Sequence, residues 1–220
     1  MKTKRAKVLL VDDHPIVRRG LAQMINQEMD LIICGEAEST QEALEVIELQ
    51  KPNIALVDLS LKDDSGLELI KDIKARFPEV LTLVLSMHDE VFYAERVLRA
   101  GAKGYIMKQR ATNQVLVAIR RVLAGEIYLS DAMSSKVLHD ITGKKPERAG
   151  SFIDRLSDRE LEVFRLIGTG LGTRQIAEKL SRSVKTVETY RGNIRLKLSL
   201  KNSSALVQNA IQWAQINPGF

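Results

Sequence analysis

Five side chains able to handle charge each stand just after an apolar run. Asp12 and Asp13 follow residues 8–11, Asp58 follows 54–57, Ser86 follows 81–85 and Lys108 follows 104–107. The unbroken Val/Leu run at 8–11 suits a strand buried on both faces, as in a parallel sheet. Sites in open α/β sheets form in the crevice outside the carboxyl ends of the strands. Aligned in one sheet, these strands bring three carboxylates, a hydroxyl and an ammonium to one edge. Three carboxylates make a hard-oxygen pocket that suits Mg2+. An aspartate there can act as a nucleophile and take a phosphoryl group. The charge that develops would need the metal and a cation such as Lys108, and Ser86 could hydrogen-bond a phosphoryl oxygen. A lone aspartate at a strand end is ordinarily a cap or a solvated turn. Five such residues in strand order have no such explanation, because they would bury unpaired charge without a ligand.

The elements that must position them alternate over the first 125 or so residues. Runs at 8–11, 31–34, 54–58 (ending in Asp58), 81–85 and 104–107 predict five strands. Between them, Pro15 suits a helix start, and Val17, Leu21, Met24 and Ile25 recur at helical spacing. Ser39 with Glu42 predicts a capping box. Gly66 precedes a helix that Pro78 stops, and 89–100 reads as a helix with Gly101 at its C-terminal left-handed position. Thr112 is expected to cap a last helix, with Leu116, Ile119 and Val122 inward and Gly125 beyond its end. Five strand–helix repeats make a doubly wound parallel sheet. Residues 130–141 are a candidate further helix. The apolar-poor run 142–150 reads as a linker, with a surface loop as the alternative. Cys34, the sole cysteine, excludes an intramolecular disulfide and reads as a buried small apolar residue. The N-terminus is basic but too short in apolar residues for a secretory signal, and no run is long enough to span a bilayer. A cytoplasmic protein is expected.

The net charge of +5 is unevenly placed. Residues 1–125 hold 18 Lys+Arg against 18 Asp+Glu, residues 126–220 hold 15 against 10, and 170–201 alone hold 8 against 2. An anionic partner is therefore expected for the back half only. There, Ser157 and Glu160 form a second predicted capping box, with Leu161, Phe164 and Ile167 on the apolar face. Residues 173–180 and 184–196 predict two helices joined by a short turn, the helix-turn-helix pattern. On the second, Lys185, Glu188, Thr189 and Gly192 share one face, opposite Val187, Ile194 and Leu198. Polar residues near the start of such a helix suit base edges in the major groove, and Lys185, Arg191, Arg195, Lys197 and Lys201 suit phosphates. Glu188 is awkward near DNA unless it accepts from a cytosine amine.

Residues 7–125 resemble a response-regulator receiver domain of two-component signalling. The carrying pieces are Val11-Asp12-Asp13-His14-Pro15, Leu56-Val57-Asp58-Leu59, Gly66-Leu67-Glu68-Leu69, Leu85-Ser86 and Gly101-Ala102-Lys103-Gly104-Tyr105-Ile106-Met107-Lys108. The resemblance implies a flavodoxin-like α/β receiver with Asp58 as phosphoacceptor. It implies Mg2+ held by Asp12, Asp13, Asp58 and the backbone carbonyl of Ser60. Lys108 would pair with the phosphoryl group, and Ser86 and Tyr105 would form the switch pair. One departure is the loop after Asp58, where Lys62 stands in place of a turn-fixing proline and Asp63 and Asp64 add charge. His14 is expected at the site rim rather than as a base, and Met87 and His88 in the turn to the fourth helix. An aspartyl-phosphate phosphatase is the rival enzyme reading; it needs an acid where Ser60 stands. A receiver serving only as a dimerisation platform is the other rival.

Residues 154–214 resemble the LuxR-type helix-turn-helix, the NarL/FixJ type when joined to a receiver. The match lies in Leu156-Ser157-Asp158-Arg159-Glu160-Leu161-Glu162-Val163, Gly170, Ile176-Ala177, Ser183, Lys185-Thr186-Val187-Glu188-Thr189 and Lys197-Leu198, with Tyr190 where the family often has His. The expected DNA contacts are thus Lys185, Thr186, Glu188, Thr189, Arg191, Gly192, Arg195 and Lys197. The last helix resembles the family's dimerisation helix, with Leu206, Ala210 and Trp213 as its expected face. The organisation implied is a receiver at 1–125, a helix and linker at 126–152 and a DNA-binding domain at 153–220. The partners implied are a sensor histidine kinase, double-stranded promoter DNA, a second copy of the chain once phosphorylated and, as a further candidate, RNA polymerase.

Overall fold

The computed structural model describes residues 5–61, 65–87, 90–135 and 155–216. The chain divides into two compact units, Met1–Gly143 and Lys144–Phe220. The expected linker at 142–150 lies outside the described residues, as do Lys62, Asp63, Asp64 and His88.

The first unit is a parallel sheet of β1 (Ala6–Val11), β2 (Leu31–Ala37), β3 (Ile54–Val57), β4 (Leu81–Ser86) and β5 (Gly104–Met107), in the order β2-β1-β3-β4-β5. The helices between and after them are α1 (Pro15–Asn26), α2 (Thr40–Gln50), α3 (Gly66–Arg76), α4 (Glu90–Ala100) and α5 (Ala111–Leu123). β1 and β3 sit in the middle, and all of Val8–Val11 and Ile54–Val57 are buried, as unbroken apolar runs require. Side chains alternate across the sheet. Val8, Leu10, Leu56, Leu83 and Leu85 therefore point to one face. There they pack with Leu21 and Ile25 of α1 and Val115, Ala118, Ile119 and Val122 of α5. β1 and β3 are held in register from Val8↔Ile54 to Val11↔Val57, so Asp12 and Asp58 leave the sheet side by side.

Several local expectations need correction. β2 runs to Ala37, three residues beyond the predicted run, because Gly35, Glu36 and Ala37 pair with Leu9, Leu10 and Val11. The register shifts between Val8 and Leu9, skipping Cys34, which is half-buried rather than buried. Ser39 does cap α2 by accepting from the Glu42 N–H at 3.3 Å. The Glu42 carboxylate, however, takes the N–H of Glu38 at 2.8 Å, not that of Ser39, so the box is not reciprocal. α5 begins at Ala111, after a 3-10 turn at Lys108–Arg110, which places Thr112 inside the helix rather than at its cap. Beyond Gly125 the chain folds back onto β5. Tyr128 N–H donates to the Lys103 carbonyl, Tyr105 N–H donates to the Tyr128 carbonyl, both at 2.9 Å, and Met133 is buried. Residues 131–135 are helical, and the rest of the expected 130–141 helix lies outside the described residues.

The second unit comprises α6 (Asp158–Gly168), α7 (Thr173–Lys179), α8 (Val184–Lys197) and α9 (Ser203–Ile216) among the described residues. The predicted capping box on α6 is complete: Ser157 N–H donates to Glu160 Oε2 at 2.7 Å, and Glu160 N–H to Ser157 Oγ at 3.4 Å. Its core joins Leu161, Phe164, Ile167, Ile176, Val187, Ile194, Leu206 and Ala210. Phe164 and Trp213 meet with ring centroids 5.7 Å apart. The expected dimerisation face of Leu206, Ala210 and Trp213 is therefore an internal one. These residues pack α9 onto α6, where Gly168 lets the helices approach so closely that a Cβ would lie 2.6 Å from the Ala210 carbonyl.

Candidate functional site

The edge at the carboxyl ends of the strands gathers the residues the sequence singled out. Asp12 and Asp58 are 3 % and 2 % exposed, and Ser86 is fully buried at the end of β4. Backbone bonds fix the two carboxylate-bearing positions: Asp58 N–H donates to the Val11 carbonyl at 2.8 Å and Asp12 N–H to the Ala37 carbonyl at 3.1 Å. The Arg18 guanidinium on α1 donates to the Asp12 carbonyl. Lys108 reaches in from the end of β5, its Nζ 2.6 Å from Asp12 Oδ2 and 2.7 Å from Asp58 Oδ2. The other Asp58 oxygen accepts from the Ser60 N–H at 3.2 Å.

Gly66, at the start of α3, presses against this same position. A Cβ there would lie 2.1 Å from the Asp58 carbonyl oxygen and 2.7 Å from Leu59 Cα. The glycine lets α3 begin directly beside the acceptor aspartate.

Burial pushes the Asp58 carboxyl above the ordinary aspartate range, and the Lys108 charge only partly offsets it. Burial also works against the Lys108 ammonium, but Asp58 and Asp12 outweigh it and hold the lysine above its ordinary value. The pocket is thus a buried carboxylate pair bridged by one cation. Asp13 lies at its mouth. His14 does too: its N–H donates to Asp12 Oδ1 at 2.8 Å, and its Nδ1 lies 3.0 Å from Asp12 Oδ1 and 2.8 Å from Asp13 Oδ1. Asp12, Asp13, His14 and Asp58 each offer one ligand atom within 4.8 Å of the others. This donor set of three carboxylates fits a hard divalent cation. His14 stands at the rim, its side chain 60 % exposed, with its ring against both aspartates. Tyr105, 1 % exposed, is buried on β5, the strand that ends beside Lys108.

In the second unit, α7 and α8 are joined through Leu180–Ser183, with Ser181 at φ 51° making the turn. Ser183 caps α8 by accepting from Thr186 N–H at 3.0 Å, and the two hydroxyls pair at 2.7 Å. Lys185, Glu188 and Thr189 are exposed on one face, as their spacing predicts, and nothing lies within 4 Å of a Cβ added at Gly192. The Thr189 hydroxyl donates back to the Lys185 carbonyl at 3.0 Å. Arg191 is half-buried, and burial followed by repulsion from Arg195 lowers its pKa. Lys197 is engaged inside the unit: its Nζ lies 2.6 Å from Oε2 of Glu160, the buried capping carboxylate of α6. Sequence spacing missed that ion pair because the partners stand 37 positions apart.

A doubly wound sheet with a carboxylate–lysine pocket, in one chain with a helix-turn-helix unit, defines a phosphorylation-type receiver joined to a DNA-reading module. Residues 8–120 match the family described as Response regulator receiver domain, and residues 154–210 match Bacterial regulatory proteins, luxR family. The chain belongs to the NarL/FixJ family of response regulators, DNA-binding regulators of two-component systems rather than enzymes. It is 38 % identical over 210 residues to the oxygen regulatory protein NreC of Staphylococcus aureus, a match spanning 94 % of this chain and 97 % of the relative. Among solved structures, it is similar to RcsB of Salmonella enterica serovar Typhimurium, bound to promoter rprA in the presence of the phosphomimetic BeF3-. That match has a TM-score of 0.58 and 30 % identity, over 93 % of this chain and 98 % of that one. A LuxR-family response regulator from Aurantimonas sp. SI85-9A1 matches with a TM-score of 0.58 and 29 % identity, over 63 % of this chain and 99 % of that one.

Proposed function

We propose that Asp58 is the phosphoacceptor of a cytoplasmic regulator whose DNA binding responds to that modification. The observation that carries this is the pairing of a buried Asp58 with Asp12 across the Lys108 ammonium. Asp58 Oδ1 or Oδ2 would attack phosphorus, forming an acyl phosphate as the bond to the donor breaks. The donor would be a phosphohistidine on a partner kinase or a small phosphodonor. Asp12, Asp13, Asp58 and the Ser60 carbonyl would hold Mg2+, which supplies positive charge to the phosphoryl oxygens when bound. Lys108 would move from Asp12 toward the new phosphoryl oxygens, and Ser86 would donate to one of them. The added charge of about −2 would shift Ser86 and Tyr105 and favour pairing of two copies on promoter DNA, with polymerase contact downstream of that.

On the second unit, Lys185, Glu188, Thr189 and Gly192 form the face offered to the major groove. Arg191, Arg195 and Lys197 lie toward its flanks, Thr186 sits in the first turn with its N–H on the capping Ser183 hydroxyl, and Lys197 has its structural bond to Glu160. The receiver is proposed to end near residue 125, with 126–152 as connector and 153–220 as the DNA-binding domain.

Asp58→Asn tests the reading. Incubated with acetyl phosphate and Mg2+, the wild-type chain should gain an acid-labile phosphoryl group and the variant none, at unchanged helical content. Undiminished Mg2+-dependent labelling of the variant would remove Asp58 from the role. Promoter selection from random duplexes, with and without beryllofluoride, tests the output.

A further inference from the structure

We propose that Glu90 is a positioning residue: it fastens the first part of the connector, residues 126–135, to α4 while the Tyr105 backbone fastens it to β5, so that the connector itself carries the receiver's signal outward. Three observations converge. Tyr128 stands beside β5 as an added parallel rung, bridged to Gly104, with its N–H donating to Lys103 and its carbonyl accepting from Tyr105 N–H. Gly104 is shaped for this contact, since a Cβ there would lie 2.7 Å from the Tyr128 carbonyl oxygen and 3.0 Å from Tyr128 Cβ. Two residues on, Ser130 N–H donates to Glu90 Oε1 at 2.8 Å, and Glu90 is only 7 % exposed.

That second contact has the form of a capping box assembled from two elements. Ser130 Oγ accepts from Met133 N–H at 3.2 Å, and its carbonyl accepts from Ser134 N–H at 2.8 Å, so Ser130 caps the turn at 131–135. In an ordinary box, the reciprocal carboxylate comes from the same helix. Here it comes from the first turn of α4, forty positions earlier in the chain. A carboxylate also suits the positive end of a helical turn.

The backbone of Lys103 and Tyr105 on one side and the Glu90 carboxylate on the other hold the connector. Tyr105 is one half of the proposed switch pair, and Glu90 follows the other half, Ser86, by four positions. A rearrangement of either β5 or α4 therefore acts on one short stretch, Tyr128 to Ser130, which leads toward the second unit. A connector that merely seals the sheet edge would not need both bonds to respond to the site.

The inference rests on the proposed phosphorylation at Asp58, and the experiment separates the two. Amide hydrogen exchange of the full chain is followed with and without Mg2+ and beryllofluoride, together with affinity for selected promoter DNA. In the wild type, beryllofluoride is expected to change exchange at Asp58's neighbours and, by threefold or more, at the amides of Tyr105, Tyr128 and Ser130. Glu90→Gln keeps an acceptor oxygen and should retain the response. Glu90→Ala should speed exchange at Ser130 without beryllofluoride. It should also reduce the beryllofluoride effect on DNA affinity at least threefold, with acetyl phosphate labelling unchanged. Gly104→Ala, which drives Tyr128 off β5 from the other side, should uncouple in the same way. Wild-type changes confined to the Asp58 pocket, or a Glu90→Ala variant with the full DNA response, would overturn the connector's role. No exchange change anywhere in the receiver would overturn the phosphorylation reading and this inference with it.

Discussion

Lys108 is where the pocket's electrostatics are decided. One ammonium, 8 % exposed, bridges two carboxylates at 2.6 and 2.7 Å. Removing one partner of such a buried set leaves like charges facing each other, at a cost of about 3–5 kcal/mol. Lys108→Ala should therefore lower the receiver's stability in chelator by that order. Mg2+ should restore more of it than it adds to the wild type; equal Mg2+ stabilisation of both chains in urea titrations would contradict this. The pocket residues were legible in the sequence because each sits at the end of an apolar run, and period and position together fix where such a residue emerges. His14's close approach to both aspartates was less legible, because neighbouring positions in a turn carry no period. Lys197 was read only as a phosphate contact, since its bond to Glu160 is a product of tertiary packing.

The elements show the same division between local and distant causes. The Ser157–Glu160 box was legible in four residues, and it formed. Ser157→Ala should cost the second unit about 0.5–2 kcal/mol in denaturant midpoints. Glu160 carries a pH consequence. Burial alone would raise its carboxyl, but the bonds from Lys197 and Ser157 outweigh that and hold it below the ordinary range. A depressed carboxylate contributes stability above the unfolded value, about 4.3, and loses it as pH falls through the folded value. The melting temperature of the second unit should therefore drop in acid more steeply than that of Glu160→Gln, below about pH 4.3. At α3, Gly66→Ala places a methyl group 2.1 Å from the Asp58 carbonyl oxygen. Overpacking of this kind costs about 1–3 kcal/mol, and here it should also slow labelling of Asp58 by displacing its backbone. The connector rung at Tyr128 had no sequence signature, because a single bridged residue has no period to detect. The β2 extension was hidden for a related reason: Gly35-Glu36-Ala37 offers one small apolar side chain, Ala37, and is a strand because Leu9–Val11 pairs with it.

At the scale of the whole molecule, the charge asymmetry of the sequence maps onto the two units, with the excess positive charge in the DNA-reading one. Lys185→Ala should weaken binding across sequences and lower the slope of log affinity against log salt by about 1. Lys197→Ala should instead show mainly as reduced thermal stability, because its ammonium is committed to Glu160. A salt slope unchanged in the first variant and reduced in the second would reverse those assignments. The strand order has a further consequence for how the chain is made. β1, the first strand synthesised, lies between β2 and β3, while β5 and the Tyr128 rung close the far edge. Arg120, late in α5, clasps Glu28 and Asp30 at 2.5 and 2.8 Å, tying the end of this unit back to its beginning. Domains generally fold as units in order of synthesis. The nascent receiver should therefore gain protease resistance in one step, once a ribosome has released the chain through about residue 135. Translation-arrested chains cut short of Arg120 should remain cleavable, so the regulator's input half would be complete before the half that reads DNA has left the ribosome.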